Sequence, residues 1–362
     1  MIKTKAVRLA NNYPEPFMIT WDTGKRCNYN CTYCDSSRHD NYSAFHSLNE
    51  YLETFNFIKK YIEIYESSKK NPADHVNINF TGGEPTLNPS FFELVDEIKR
   101  DNNNYRLSLT TNGAWNKKYT EKIKKRFSGV TVSYHAESNS KLKELVIENI
   151  LALKDTGVWL QVNVMLHADY FNECVEIYEY LKSQNIKVNP RPIGDGNEKG
   201  NGWFKDRDGY FRKTSHEYTH SQIDWFFNET GMSKNTDCTS GDEFGRGCCG
   251  GRCIEGLVEG EWQSVQMIDT HFKNWHCSVN WYFLHIEQST GLLFHHQTCQ
   301  ATFKDKKGPI GSLTDTESVL NSAKRAISED RIIKCPNTRC GCGMCVPKAA
   351  DKHVFSKLKR EI

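Results

Sequence analysis

Three cysteines in residues 27–34 (CNYNCTYC) are the residues of this sequence best suited to chemistry. Cys27, Cys31 and Cys34 have the spacing C-x3-C-x2-C, so their thiolates can converge on one inorganic centre. An iron–sulfur cubane usually has four cysteine ligands, and this run supplies three, which leaves one iron open. A structural zinc site normally closes its coordination with four protein ligands, so the missing fourth cysteine argues against zinc. A zinc knuckle is the alternative interpretation.

A second segment, residues 81–85 (TGGEP), follows an apolar strand that we predict over residues 75–80. Two adjacent glycines allow the backbone to approach a ligand closely. Glu84 offers a carboxylate, and Pro85 suits the first position of a following helix. Taken alone, the segment also fits an ordinary strand-to-helix turn.

The two segments together resemble the radical S-adenosylmethionine (radical SAM) superfamily. The resemblance implies that the three cysteines hold a [4Fe–4S] cluster whose open iron binds SAM. It further implies that an electron donor such as flavodoxin or ferredoxin reduces the cluster, and that SAM cleavage yields a 5′-deoxyadenosyl radical that abstracts hydrogen from a substrate. The positions that the resemblance assigns to SAM binding are Tyr33, Gly82, Gly83, Glu84, Pro85, Asn112 and Ser133.

Short strands alternate with helices up to residue 191, which predicts parallel strands joined by helical crossovers. Strands are predicted at residues 16–21, 75–80, 105–110, 129–134, 158–166 and 186–191. Helices are predicted at residues 48–65, 90–100, 117–126, 140–155 and 169–183. Six such units match the partial (β/α)6 barrel of the radical SAM superfamily. We therefore expect an α/β fold: this barrel, followed by a small Cys-rich α+β module for auxiliary clusters.

The predicted strands alternate between apolar and polar residues, although parallel strands covered on both faces usually read as continuous apolar runs. The apolar face belongs under the helices, so the polar face should line an open interior that accepts a polar substrate. That interior face carries Asn77, Asn79, Arg106, Ser108, Thr131, Gln161, Asn163 and Arg191.

The chemistry of such barrels lies at the C-terminal ends of the strands. Those ends carry Asn112, His135, Glu137, His167 and Arg191. The resemblance places His135 near the methionine or ribose of SAM. Arg191 is the candidate for binding an anionic group, because its guanidinium binds carboxylates bidentately. His135 and Arg191 are the two candidate catalytic residues, and each is also explained by an ordinary structural role.

The last hundred residues are rich in cysteine. Two apolar runs, at residues 279–286 and 292–294, flank a turn that ends at Gly291 and predict a β-hairpin, and a helix is predicted at residues 316–328. This arrangement resembles the SPASM or shorter twitch extension of radical SAM enzymes, which holds one or two auxiliary iron–sulfur clusters. The candidate ligands are Cys277, Cys299, Cys335, Cys340, Cys342 and Cys345.

The resemblance of this module is imperfect, because Gly291 lies eight residues before Cys299 where the family has five. A structural zinc site is the alternative. We predict a barrel over residues 1–194, a bridging region over 195–261 and the Cys-rich module over 262–362. The bridging region contains cysteines to which the sequence assigns no role: Cys238, Cys248, Cys249 and Cys253.

Composition limits the partners of this 362-residue chain. The formal net charge is +2, so no overall field attracts nucleic acid or an anionic membrane. No signal peptide or membrane-spanning run is predicted. With 14 cysteines and no export signal, we expect a cytoplasmic protein with metal or redox chemistry rather than disulfides.

The predicted function is hydrogen abstraction from a polar substrate. One candidate is a peptide or protein that is oxidised, cross-linked or epimerised, although the few residues before the first strand leave no room for an N-terminal peptide-recognition domain. The alternatives are a small polar metabolite or nucleotide as substrate, and a non-enzymatic, zinc-stabilised binding module. The sequence does not identify the substrate.

Overall fold

The computed structural model describes residues 5–9, 16–34, 39–70, 72, 75–101, 104–193, 202–205, 211–214, 217–230, 254–264, 272–296, 308–329, 333–335 and 347–361. Several predicted cysteine ligands and unassigned cysteines lie outside these ranges: Cys238, Cys248, Cys249, Cys253, Cys299, Cys340, Cys342 and Cys345. Predictions that concern those cysteines stay predictions.

Strands and helices follow one another in the predicted order. The strands are β1 (Ala6–Leu9), β2 (Phe17–Asp22), β3 (Val76–Thr81), β4 (Tyr105–Thr111), β5 (Gly129–His135), β6 (Trp159–Leu166), β7 (Lys187–Pro192), β8 (Gly202–Lys205), β9 (Phe211–Thr214), β10 (Ile254–Val258), β11 (Glu261–Ser264), β12 (His276–Cys277), β13 (Phe283–Glu287), β14 (Leu292–Phe294), β15 (Gly311–Ser312), β16 (Ile333–Lys334) and β17 (Lys348–Ala349). The α-helices are α1 (Leu48–Glu66), α2 (Phe91–Asp101), α3 (Thr120–Arg126), α4 (Ser140–Leu153), α5 (Phe171–Ser183), α6 (His220–Thr230), α7 (Thr316–Ser328) and α8 (Lys352–Glu361). Within the described ranges, none of these helices has both the length and the apolar character needed to span a membrane.

A nine-stranded sheet, in the order β15-β14-β13-β2-β3-β4-β5-β6-β7, forms the main layer. Strands β2 to β7 are parallel neighbours in chain order, as predicted. Among the described strands, β7 and β15 end the sheet, so it does not close into a barrel. The predicted α/β class with a partial barrel is confirmed.

The hairpin β13–β14, which the sequence suggested for a separate module, joins the main sheet instead. Strand β13 pairs in parallel with β2, with Ile286 opposite Trp21, and β14 and β15 follow with antiparallel pairing. The indole N–H of Trp21 also donates to Gln288 Oε1 at 3.0 Å. Strand β2 is therefore paired on both sides, and the sheet has seven consecutive parallel strands rather than six.

The two faces of the sheet differ as the alternation predicted. The side chains of Ile19, Ile78, Leu107 and Val132 are fully buried on the face covered by helices. Burying an aliphatic side chain of this size contributes roughly 1.5–3 kcal/mol. The other face, called the inner face below, carries half-buried polar side chains: Asn77, Asn79, Ser108, Thr131, Ser133, Gln161 and Asn163.

A second sheet, in the order β11-β10-β1-β17-β12-β16, lies apart from the main one. The N-terminal strand β1 is its central member, with antiparallel partners β10 and β17. Val7 of β1 is 1% exposed and packs with Phe272 and Trp275. The predicted domain division stays a prediction, and strand pairing runs across both proposed boundaries.

Candidate active site around the three-cysteine loop

The three predicted cluster ligands lie on the loop that follows β2, at the C-terminal edge of the parallel strands. Cys31 is buried, Cys27 is half-buried and Cys34 is exposed, and none of the three forms a disulfide. The Tyr29 N–H donates to Cys27 Sγ at 3.4 Å, and Asn112 Nδ2 donates to the same sulfur at 3.7 Å. The loop is thereby connected to Asn112, which follows β4.

Burial raises the pKa of Cys27 to about 11 and that of Cys31 to about 12. Both groups are thus protonated thiols at neutral pH, and a bound metal must displace their protons. Three cysteines outside any disulfide on one loop, with N–H groups directed at a sulfur, fit the ligand set and the hydrogen bonding of an iron–sulfur cluster. In the described part of the chain, no three Cys, His, Asp or Glu side chains are gathered as a site for a single metal ion.

The two glycines of the TGGEP segment contact the protein's own backbone. A Cβ on Gly82 would lie 2.4 Å from Asp22 Oδ1, and one on Gly83 would lie 2.3 Å from the carbonyl oxygen of Lys25. The Gly83 N–H donates to the Gly24 carbonyl at 2.7 Å. The close approach seen here is to the start of the three-cysteine loop, against which the segment packs directly. The predicted contact of the two glycines with SAM stays a prediction.

The Glu84 carboxylate is 3% exposed and is surrounded by donors from the protein. It accepts hydrogen bonds from the Thr86 hydroxyl at 2.6 Å, the Thr111 hydroxyl at 2.8 and 2.9 Å, and the Asn112 N–H at 2.8 Å. Burial raises the pKa of Glu84 above its ordinary value, and these hydrogen bonds oppose that shift. Glu84 therefore joins the TGGEP segment to the end of β4, and its contact with SAM stays a prediction.

His135 and Tyr33 form the opposite side of the loop. The two rings stack with centroids 5.9 Å apart, and the Tyr33 hydroxyl is hydrogen-bonded to His135 Nδ1. Cys31 Sγ lies 3.5 Å from the same nitrogen. Burial lowers the pKa of His135 to about 4, so its ring is neutral at physiological pH. The structure thus brings His135 directly against the three-cysteine loop.

Glu137 holds the middle of the three-cysteine run. Its carboxylate accepts from the Thr32 N–H at 2.8 Å and from the Thr32 hydroxyl at 2.9 Å. His167 Nε2 lies 3.6 Å from the same carboxylate. The sequence indicates Thr111, Glu137 and His167 only as residues at the ends of strands, and it gives Thr32 no role. The only sequence signal for these residues is a polar side chain at the end of a strand or next to a cysteine ligand. Many residues with a purely structural role have the same signal.

Ser133 and Arg191 lie on the inner face but outside this contact network. Ser133 is opposite Asn163 in the pairing of β5 with β6. His135 is opposite Met165, and Met165 is opposite Arg191, so the three residues form one row across β5, β6 and β7. Neighbouring strands are about 4.8 Å apart, which puts the backbone of Arg191 roughly 10 Å from that of His135. Arg191 is exposed.

Two of the predicted auxiliary ligands are described. Cys277 in β12 is buried and lies opposite Ile333 of β16. Cys335, just after β16, is half-buried, and its N–H donates to the Trp275 carbonyl at 2.9 Å. The two cysteines therefore belong to neighbouring segments of the second sheet.

Comparisons with known proteins agree with this arrangement. A model of the radical SAM superfamily matches residues 21–181. The GTP 3′,8-cyclase of Staphylococcus epidermidis is 28% identical over 192 residues, which cover 49% of this chain and 54% of the cyclase. The GTP 3′,8-cyclase of Helicobacter pylori is 30% identical over 176 residues, covering 45% and 51% respectively. This chain thus spans about half the length of the curated relatives it matches.

A third relative is the radical SAM cyclopropyl synthase TigE of Paramaledivibacter caminithermalis, 26% identical over 181 residues, covering 44% of this chain and 38% of TigE. The solved structure of native anSMEcpe with bound AdoMet and Cp18Cys peptide has the same fold, with a TM-score of 0.50 at 16% identity over 88% of this chain and 83% of that one. Residues 21–181 of this chain therefore match the radical SAM superfamily. Enzymes of that superfamily use a [4Fe–4S] cluster and SAM.

Proposed function

We propose that this chain is a radical SAM enzyme that abstracts hydrogen from a polar substrate, with Cys27, Cys31 and Cys34 as the ligands of its [4Fe–4S] cluster. The observation that carries the proposal is the position of three cysteines, none of them in a disulfide, at the C-terminal edge of parallel strands, above a polar inner face. When bound, the reduced cluster and SAM supply a 5′-deoxyadenosyl radical. The electron comes from a donor such as flavodoxin or ferredoxin.

The chain's own residues hold the three-cysteine loop in place through hydrogen bonds. The N–H groups of Tyr29 and Asn112 are directed at the sulfur of Cys27, which favours its thiolate. Glu137 fixes Thr32 between two of the cysteines. Glu84 ties the TGGEP segment to Asn112. Hydrogen bonds of this kind to an ionised group contribute about 1.5–3 kcal/mol each.

SAM, in this proposal, lies between the TGGEP segment and the end of β5. Tyr33 and Ser133 contribute side chains there, and Gly82, Gly83 and Pro85 contribute backbone. Asn112 connects this region to the loop through Asn28, whose Oδ1 accepts from Asn112 Nδ2 at 2.7 Å. His135 is a neutral imidazole at physiological pH and supports Tyr33 through its ring and its Nδ1.

A polar molecule is the substrate class that the inner face favours. Leaving a buried polar group unpaired costs roughly 1–3 kcal/mol, and the inner face presents several such groups to whatever fills it. Arg191, at the end of the row that starts at His135, is exposed and suits an anionic group. Arg191→Lys retains the positive charge but loses the paired N–H donors of the guanidinium. Reduced turnover of this variant would indicate that those donors bind the substrate.

Two sources of polar substrate are supported by different observations. The GTP 3′,8-cyclases among the relatives favour a nucleotide. The anSMEcpe structure with its Cp18Cys peptide, at 16% identity, supports the fold and leaves a peptide as the other candidate. Incubation of the reduced enzyme with SAM and either GTP or a cysteine-containing peptide, followed by mass spectrometry, separates the two.

One or two auxiliary clusters are part of the proposal. Cys277 and Cys335 lie on neighbouring segments of the second sheet, and the remaining ligands would come from Cys299, Cys340, Cys342 and Cys345. A structural zinc ion is the alternative. Iron, sulfide and zinc analysis of anaerobically purified protein distinguishes them, because zinc without sulfide would remove both the auxiliary clusters and the radical chemistry.

The decisive experiment replaces Cys27, Cys31 and Cys34 together by Ala. We expect the triple variant to make no 5′-deoxyadenosine from SAM under reducing conditions while it keeps the iron bound near the C-terminus. The matched control is Cys174→Ala, because Cys174 is a buried thiol in α5, behind the sheet. If the triple variant still cleaves SAM reductively, the assignment is wrong.

A further inference from the structure

His285 belongs to the hairpin strand that joins the main sheet. It lies opposite Thr20 of β2 and opposite Phe294 of β14. Its neighbours Leu284 and Ile286 are 1% and 0% exposed and belong to the core under the helices. Since side chains alternate along a strand, His285 is on the inner face. The seventh parallel strand thus adds a histidine to the polar side of the sheet.

The two ring nitrogens of His285 have different surroundings. Nε2 lies 3.7 Å from Glu287 Oε1, and Glu287 Oε2 accepts from the Thr290 hydroxyl at 3.0 Å. Nδ1 is buried and has no hydrogen-bond partner among the residues that the structure describes. Nε2 and the carboxylate are too far apart for a hydrogen bond, but the negative charge of Glu287 favours the tautomer with its hydrogen on Nε2, which leaves the lone pair on Nδ1 as a buried acceptor.

An acceptor left unsatisfied in a buried position destabilises a folded chain, so such an atom calls for an explanation. The His285 side chain is 4% exposed, yet Thr20 and Asp22 on the next strand are half-buried. Solvent thus reaches the inner face one strand away from His285. A ligand on the inner face would meet an oriented acceptor in a dry setting, where a hydrogen bond is strong.

We propose that His285 Nδ1 accepts a hydrogen bond from an N–H group of the substrate, and that Glu287 is the positioning residue that fixes the imidazole tautomer. The inference rests on the proposed function, because it places the substrate on the inner face. An N–H donor of this kind is present in a purine nucleotide and in a peptide backbone. The two sources share the recognition chemistry, and the experiment separates them.

The test measures binding of two probes, GTP and a cysteine-containing peptide, to the reconstituted full chain with SAM present. The variants are His285→Leu, which removes the acceptor, and His285→Asn, whose amide oxygen lies near the position of Nδ1. We expect the parent to bind one probe, His285→Leu to bind it about 5- to 100-fold more weakly, and His285→Asn to recover most of the affinity. His353→Leu, at an exposed histidine of α8, is the matched control and should bind like the parent.

Thermal unfolding of the same variants distinguishes a loss of ligand binding from a loss of folding. Because Nδ1 has no partner among the described residues, His285→Leu should unfold at the same temperature as the parent or higher, with unchanged iron content. A midpoint that falls in His285→Leu and recovers in His285→Asn would assign Nδ1 to a structural hydrogen bond and overturn the proposal. Equal affinity of the parent and the Leu variant, or binding of neither probe to the parent, would also overturn it. Failure of the proposed function is separate, because it would appear as absence of 5′-deoxyadenosine in the parent.

Discussion

The carboxylate of Glu84 gathers donors from two segments that are otherwise separate in the chain. Thr86 follows the Gly-Gly turn, and Thr111 and Asn112 end β4. Asn112 then contacts both Cys27 and Asn28 of the three-cysteine loop. A single buried side chain thereby determines how the loop is placed relative to β4.

Replacement of Glu84 by Ala should lower the stability of the chain even without cluster or SAM. The change leaves the hydroxyls of Thr86 and Thr111 and two buried N–H groups without their acceptor, so we expect the free energy of unfolding to fall by about 2–4 kcal/mol. Denaturant unfolding of the apoprotein measures it, with the exposed Glu93→Ala in α2 as control. If Glu84 served SAM alone, the apoprotein would be unchanged and only SAM affinity would fall.

Glu137 and Thr32 should act as one unit in holding the cluster. Thr32→Val removes the hydroxyl donor, and Glu137→Gln removes one of two acceptor oxygens. We expect each single variant to release iron to a chelator faster than the parent. The double variant should release iron only slightly faster than the faster of the two single variants, because both changes remove the same contact. The corresponding coupling energy between the two residues is about 0.5–3 kcal/mol.

Thr32→Ser is the matched control for this pair, because it keeps the hydroxyl and should retain iron like the parent. The electron paramagnetic resonance spectrum of the reduced protein provides a second measurement, since it reports on the surroundings of the cluster. Additive effects of Thr32→Val and Glu137→Gln would show that the contact does not hold the cysteines.

Helix α1 begins with a complete capping box. Ser47 is the N-cap and accepts from the Glu50 N–H, while the Glu50 carboxylate accepts from the Ser47 N–H at 2.7 Å. Hydrogen bonds from the Ser47 backbone and hydroxyl lower the pKa of Glu50 to about 2. A carboxyl whose pKa is depressed on folding stabilises the folded state above its unfolded pKa of about 4.5, and loses that contribution as the pH falls toward 2.

Glu50→Gln should therefore be less stable than the parent at neutral pH, and the difference should shrink between about pH 4.5 and pH 2. His46 Nδ1 also lies 3.2 Å from Glu50 Oε1, and one residue further along the helix the Tyr51 hydroxyl donates to the Thr23 carbonyl at 2.8 Å, shortly before the three-cysteine loop. Thermal unfolding across this pH range measures the effect. Glu53→Gln, at an exposed glutamate of the same helix, is the control and should show a smaller change. A pH-independent difference would contradict the argument.

At the scale of the whole molecule, the second sheet connects the N-terminal strand to the C-terminal cysteines. Val7→Ala removes two buried methyl groups from the cluster with Phe272 and Trp275, against which Cys335 also packs. We expect the free energy of unfolding to fall by about 1–2 kcal/mol. Lys5→Ala, at an exposed neighbour whose N–H still bonds to Leu257, should cost less and is the control. Equal effects would mean that β1 does not support this part of the chain.

The local elements could be predicted from the sequence because each depends on nearby residues. The alternation in β3, with Ile78 and Phe80 on one face, and the helical spacing of Tyr51, Phe55 and Ile58 in α1 are visible without any tertiary contact. The predicted ends of the barrel elements differ from the observed ones by at most three residues.

Pairing between distant segments could not be predicted in the same way. Nothing in residues 283–287 indicates that they lie beside β2, because that choice depends on the shape of the completed sheet. Likewise, nothing in the sequence of β1 indicates that it pairs with β10 and β17. At the site, the cysteine spacing identified the loop, whereas the roles of Glu84 and Glu137 depend on which donors the fold brings to them. In the sequence alone, a glutamate that binds a ligand cannot be distinguished from a glutamate that stabilises a loop.

The pairing of β2 has a consequence for how the protein is made. A ribosome releases β2 to β7 well before β13, at about 5–20 residues per second. Until residues 283–287 emerge, β2 has an unpaired edge directly beside the loop that carries Cys27, Cys31 and Cys34. Exposed strand edges invite intermolecular pairing. Nascent chains arrested before β13 should therefore aggregate or recruit chaperones, and iron–sulfur loading of the loop should follow release of the full chain from the ribosome rather than accompany its synthesis.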